Sequence, residues 1–237
     1  MGTGRSGIPK GVKNTTKSLS GFKVTAKNLK DYNMSMESRL KKNVSDEQLN
    51  LALETFNRMG EILGIDPNNL PAVSLGFTTK SSVYGDCRMV ADWEKFNADA
   101  RIRLTASMFN EKNYDTMAHE YVHALEAWMI KTNLNRPMDQ INAWIDSIYS
   151  EAICVRALQN MGKQKSSDFD KSIWKTHADT IKLSKWDNYA SSKPAETVTR
   201  AMQSVLRFGD GAPEYAKAVV AELRKEVLRT QKKRKKK

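Results

Sequence analysis

The stretch DTMAHEYVHALEAWMI, residues 115–130, decides how the chain reads. It contains H-E-x-x-H as His119, Glu120, Tyr121, Val122 and His123. Residues four apart on a helix share a face, so both imidazoles can reach one ion. Neutral imidazoles suit Zn²⁺. Glu120 can take a proton from a water at that ion without ligating the ion itself. The chain has only three histidines, so two at this spacing with Glu in the right slot is an improbable coincidence of composition. The competing reading is a helix with two ordinary histidines, one buried and one exposed. The flanks weigh against it: Met117, Ala118, Tyr121, Val122, Ala124, Leu125 and Trp128 make the helix apolar around most of its girth, the mark of a buried helix. Burying two imidazoles and a carboxylate is costly unless something pairs them, and a metal ion does. The pattern predicts a zinc-dependent peptidase with His119 and His123 as ligands and Glu120 as catalytic base.

Upstream, Ser45-x-x-Gln48 fits a capping box, and Leu49, Leu51, Leu53, Phe56, Met59 and Leu63 follow at helical spacing. Gly64 is the expected stop and Pro67-Asn68-Asn69 a turn. Ala72–Thr78 reads as a strand, and Val83–Asp92 as a second with a turn at Gly85-Asp86. The stretch RIRLT, Arg101–Thr105, alternates charged and apolar residues. It reads as a third strand at a sheet edge, where an extended peptide could add. Helices are expected near 114–132, 137–161, 168–183, 194–207 and 213–231, with Gly209-Asp210-Gly211 breaking the last two. The predicted class is α+β. A small mixed or antiparallel sheet packs on the H-E-x-x-H helix, and the C-terminal half is largely helical.

A catalytic zinc site needs three protein ligands and one open position. The only histidine downstream is His177, and the downstream acids include Glu126, Asp146, Glu151 and Glu196. Glu126 is three residues after His123 on the same helix, an awkward place from which to close a tetrahedron. No Gly or His follows at the spacing of the H-x-x-G-x-x-H pattern. Glu196 lies just inside a helix whose first turn is marked by Pro194. It reads equally as a ligand or as an acid placed against the helix dipole. Glu151, in Ser150-Glu-Ala-Ile-Cys154, is the alternative ligand.

The stretch Tyr189-Ala-Ser-Ser-Lys-Pro-Ala-Glu196-Thr-Val-Thr-Arg-Ala201 resembles the second half of the active site in gluzincins of the anthrax lethal factor type. It is also similar to related H-E-x-x-H peptidase domains of phages and mobile elements. In these a Tyr precedes, by seven residues, a Glu at a helix start. The resemblance implies a zincin-like fold, Glu196 as third zinc ligand, and Tyr189 as a hydroxyl that stabilises the tetrahedral intermediate. It covers two segments, 114–128 and 186–202. The chain departs from the family after the Glu, with Thr197-Val198-Thr199-Arg200 and a late Ala201 in place of an E-x-F-A-E-like run.

The formal charge of +12 belongs to the chain's ends. Residues 1–30 hold seven Lys/Arg and no acid, and residues 232–237 are all basic. With these thirteen set aside, 26 Lys/Arg face 27 Asp/Glu in residues 31–231. The expected organisation is a basic flexible arm over 1–43, a peptidase domain over 44–231 and a basic tail over 232–237. Solvated tails are the plain reading. The rival is a non-catalytic zincin scaffold that docks to nucleic acid or an acidic surface through those ends. No apolar run of about 18 residues suggests a membrane span, and the first 30 residues lack the apolar core of a secretory signal. Cys87 and Cys154 are too few for a disulfide framework, which favours an intracellular setting or a phage-type source.

Overall fold

The computed structural model describes residues 22–80, 83–89, 99–134, 149–163 and 192–234. In chain order the elements are β1 (Met34–Met36), α1 (Ser38–Asn43), α2 (Asp46–Leu63), β2 (Val73–Thr78), β3 (Gly85–Met89) and β4 (Ala100–Thr105). Five helices follow: α3 (Ala106–Asn110), α4 (Asp115–Leu134), α5 (Ser150–Asn160), α6 (Pro194–Phe208) and α7 (Glu214–Arg234). The class is α+β with a small mixed sheet. The helix expected over 168–183 lies outside the described residues, as do His177 and Tyr189. No helix among the described residues is long and apolar enough to cross a membrane.

Local chemistry sets the ends of α2. Ser45 and Gln48 form a reciprocal capping box, each side chain satisfying the other's backbone N–H. Gly64 closes the helix at φ 66°, a left-handed conformation that glycine adopts without a Cβ clash. One buried face carries Leu49, Leu53, Phe56, Met59 and Leu63 into the core.

The sheet order is β1-β2-β4-β3, with β1, β2 and β4 parallel and β3 antiparallel to β4. Every residue of β2 is buried, as expected of an interior parallel strand. The placement of RIRLT corrects an expectation: β4 is interior, and β3 is the edge on that side. Its charges mimic an edge strand but are neutralised within the sheet layer. Arg101 grips Glu37 with two bonds of 2.5 and 2.6 Å. Arg103 grips Asp86 the same way, its Nε at 2.6 Å from Oδ1. Forked pairs of this kind let guanidinium groups sit on an interior strand. The turn expected at Gly85-Asp86 is corrected too, since Gly85 pairs with Leu104 and Asp86 with Arg103 inside the ladder.

The arm expected over 1–43 is shorter than the charge pattern implied, for residues 22–43 belong to the folded body. Phe22, Val24, Leu29, Tyr32, Met34 and Leu40 are all buried. Phe22 lies where a Cβ on Gly60 would be, 2.2 Å from its Cε1. Its ring meets Tyr32 edge-on at 5.2 Å and Phe56 at 5.4 Å, and Phe56 meets Tyr121 of α4 at 4.5 Å. The tail is likewise shortened, because Lys232–Arg234 continue α7. There Lys233 donates to the Asn133 carbonyl and Arg234 to the Leu70 carbonyl, at 2.9 and 3.2 Å.

The Arg101 guanidinium, outweighing the effect of burial, holds the Glu37 carboxyl below the usual value of 4.5. A depressed folded-state pKa contributes stability that is present above the unfolded value and is lost as pH falls through the folded one. Glu37→Gln is therefore expected to lower the urea midpoint at pH 7. The difference from wild type should shrink as pH drops below about 4.5. A constant gap down to pH 2 would exclude the linkage.

Candidate metal centre

α4 runs against α2, α6, α7 and the β3 edge of the sheet. It is buried on nearly every side through Met117, Ala118, Tyr121, Val122, Ala124, Leu125, Ala127, Trp128, Met129 and Ile130. In that apolar setting His119 and Glu120 are each only 7% exposed. The His119 and His123 rings lie 5.1 Å apart, centre to centre, at 80° to each other. α6 supplies the third group. Pro194 opens α6, and Glu196 sits in its first turn. From there its Oε2 lies 3.2 Å from His119 Nε2 and its Oε1 3.6 Å from His123 Nε2. The ligand atoms of His119, His123 and Glu196 fall within 4.8 Å of one another, a grouping that could hold a metal ion. Glu151, the alternative, is buried on α5 and is not one of the three converging groups.

Both imidazoles are held from behind. His119 Nδ1 lies 3.1 Å from Gln203 Oε1. Since Gln203 Oε1 can only accept, this contact places the proton on Nδ1 and leaves Nε2 as the lone-pair donor. His123 Nδ1 faces Glu126 Oε2 at 3.7 Å. Glu126 is fully buried, and Ser150 donates to its other oxygen at 2.7 Å. Ligating histidines characteristically have such outer partners, which fix the ring and raise its basicity. Glu126 and Gln203 were not legible as site residues from the motif alone. The available signal was spacing, since Glu126 is three residues after His123 and Gln203 is seven after Glu196, on the same faces of their helices.

The electrostatics fit a cation. Burial alone would push Glu196 up. The His119 hydrogen bond and the charges of both imidazoles and Arg200 instead bring it below its usual value. Burial lowers His123, yet Glu126, Glu120 and Glu196 overcome this and hold it up at about 9. Glu126 Oε2 has no hydrogen-bond partner, and burial raises its carboxyl. A buried carboxylate without a positive partner is costly. Positive charge on the Nε2 side of the imidazoles offsets that cost. The donor set of two imidazoles and a carboxylate suits zinc.

Glu120 points elsewhere. Burial raises its pKa against the opposing pull of His119 and His123. It lines a cavity of about 330 Å³ together with Val83, Tyr84, Thr116, His119 and Arg200. Gly85 of β3 closes over this helix face so tightly that a Cβ would meet Thr116 Cγ2 at 2.9 Å and Glu120 Cγ at 3.1 Å. No family model matches the chain, and neither does any curated protein or solved structure. Function is therefore read from the site itself.

Gly85→Ala forces β3 off α4 and is expected to cost about 1–3 kcal/mol in chemical denaturation. Adding Thr116→Ser removes the nearest methyl and should recover part of the loss. Strict additivity of the two changes would show that the contact does not set the β3–α4 spacing.

Proposed function

We propose that the chain is a zinc-dependent endopeptidase of the zincin type, with His119, His123 and Glu196 as ligands and Glu120 as general base. One observation carries this reading. Both Nε2 atoms face the two oxygens of one carboxylate, while each Nδ1 is engaged from behind. An accidental pair of buried histidines has no need of that double arrangement. When bound, the ion supplies positive charge that polarises a carbonyl and makes a water more acidic.

The remaining chemistry belongs to the chain's own groups. Glu120 accepts the proton as water attacks the scissile carbonyl, then passes it to the leaving amine. Burial makes this carboxylate a stronger base than an exposed one, which suits the task. Gln203 and Glu126 keep the two rings from turning as charge redistributes. Gly85 brings the β3 edge onto the helix that carries Glu120. An extended substrate would add to β3, the edge strand, and so lie across the base. By the resemblance noted above, Tyr189 would donate its hydroxyl to the developing oxyanion.

Metal analysis of the purified full chain tests the assignment. About one zinc per chain is expected, on the three-ligand rule. Glu196→Ala should lose it and Glu151→Ala keep it. Glu120→Gln should keep the metal and slow peptide cleavage by at least roughly 100-fold. Zinc-free protein, or undiminished cleavage by Glu120→Gln, would sink the reading. Gln203→Ala and Glu126→Gln should each weaken zinc binding by about 10–100-fold in a chelator competition. Unchanged affinity in both would remove the backing role assigned to these residues.

A further inference from the structure

The cavity beside His119 and Glu120 has an uneven charge. Among its described lining residues are two cations, Arg200 and Arg207, and a single carboxylate, Glu120. Glu120 is reserved for the proton. Arg207 is matched by Asp115 and also donates to Asn113 Oδ1 at 3.1 Å. Arg200 is different. It stands one helical turn after Glu196, and its Nη1 donates to Gln203 Oε1 at 2.9 Å. The same oxygen meets His119 Nδ1. A neutral amide thus orients the guanidinium at the cavity wall without cancelling its charge. Guanidinium groups bind carboxylates through a planar fork, and orientation in advance lowers the entropy cost of doing so. Val83 and Tyr84, 40% and 37% exposed, line the opposite side and offer apolar cover for an aliphatic stem.

We infer that this cavity receives an acidic side chain of the substrate, Asp or Glu next to the scissile bond, and that Arg200 is the residue that reads it. A Lys or Arg side chain entering the same space would meet like charge, so the wall both attracts one class and rejects the other. This inference rests on the peptidase reading and names its substrate class.

The test uses zinc-loaded full-length protein and three peptidyl hydroxamates that differ only in one side chain: Glu, Gln or Lys. A hydroxamate reports binding at the metal whether or not the chain hydrolyses peptides. The Glu probe is expected to bind about tenfold or more tighter than the Gln probe, the scale of a charge-assisted contact, and the Lys probe weakest. In Arg200→Gln the Glu-over-Gln advantage should fall to about twofold or less with zinc content unchanged. Arg200→Lys should keep part of it. Equal binding of the Glu and Gln probes by wild type overturns the inference, and so does an advantage that survives in Arg200→Gln. Should Arg200→Gln fail to fold, the wild-type comparison still decides. A peptide library separates the two levels. Cleavage without preference for acidic neighbours overturns the inference and leaves the peptidase standing. Selective binding of the Glu probe with no cleavage of any peptide overturns the peptidase and leaves the acidic-group site standing.

Discussion

The interaction on which the rest depends is the burial of charge-bearing groups inside an apolar helix packing. α4 is enclosed by hydrophobic neighbours, yet it carries His119, Glu120, His123 and Glu126 inward. Low polarity strengthens every electrostatic term there and penalises any group left unmatched. Carboxylates outnumber what two imidazoles can neutralise. The cluster is stable as a unit when positive charge sits between the rings and Glu196, and the elements around it are arranged to hold the rings for that purpose. α5 contributes Ser150 to Glu126, and α6 contributes Glu196 and Gln203.

Around this centre the scaffold uses paired polar contacts where charge must be interior. Arg101 and Arg103 on the buried β4 strand are each forked to a carboxylate. Farther out, α7 faces α5 through Glu222 and Glu226. Arg156 reaches Glu226 at 2.9 Å, Asn160 reaches Glu222 at 2.6 Å, and Tyr149 donates to Glu226 at 2.9 Å. Such networks add geometric specification, since their partners must align for the groups to be satisfied. They fix α7 relative to α5, and so help set the wall against which α4 and α6 pack.

The local half of this arrangement was legible in the sequence. His119, Glu120 and His123 declare themselves because a helix converts a four-residue interval into a shared face. Ser45 and Gly64 mark the ends of α2 through chemistry confined to a few residues. What depends on distant partners was less readable. Glu196 read equally as ligand or helix-dipole acid until α6 was seen lying against α4. RIRLT looked like a sheet edge because alternating arginines imply solvent, and the carboxylates that neutralise them come from Glu37 and Asp86 elsewhere in the chain. Residues 22–43 looked like an arm because lysines dominate the segment. Phe22 is a single aromatic whose place in the core depends on Gly60 lacking a side chain.

One stripe along α6 has a wider meaning. Glu196, Arg200, Gln203 and Arg207 recur at intervals of four, three and four, so they form a single row facing the same way. Cofactor retention, ring alignment and the chemistry of the opposing wall are thus threaded on one rigid rod. A slip of that rod would disturb all of them together. Divergence in what the molecule accepts would come more easily from the facing side, where Val83 and Tyr84 can change without touching the machinery that grips the ion.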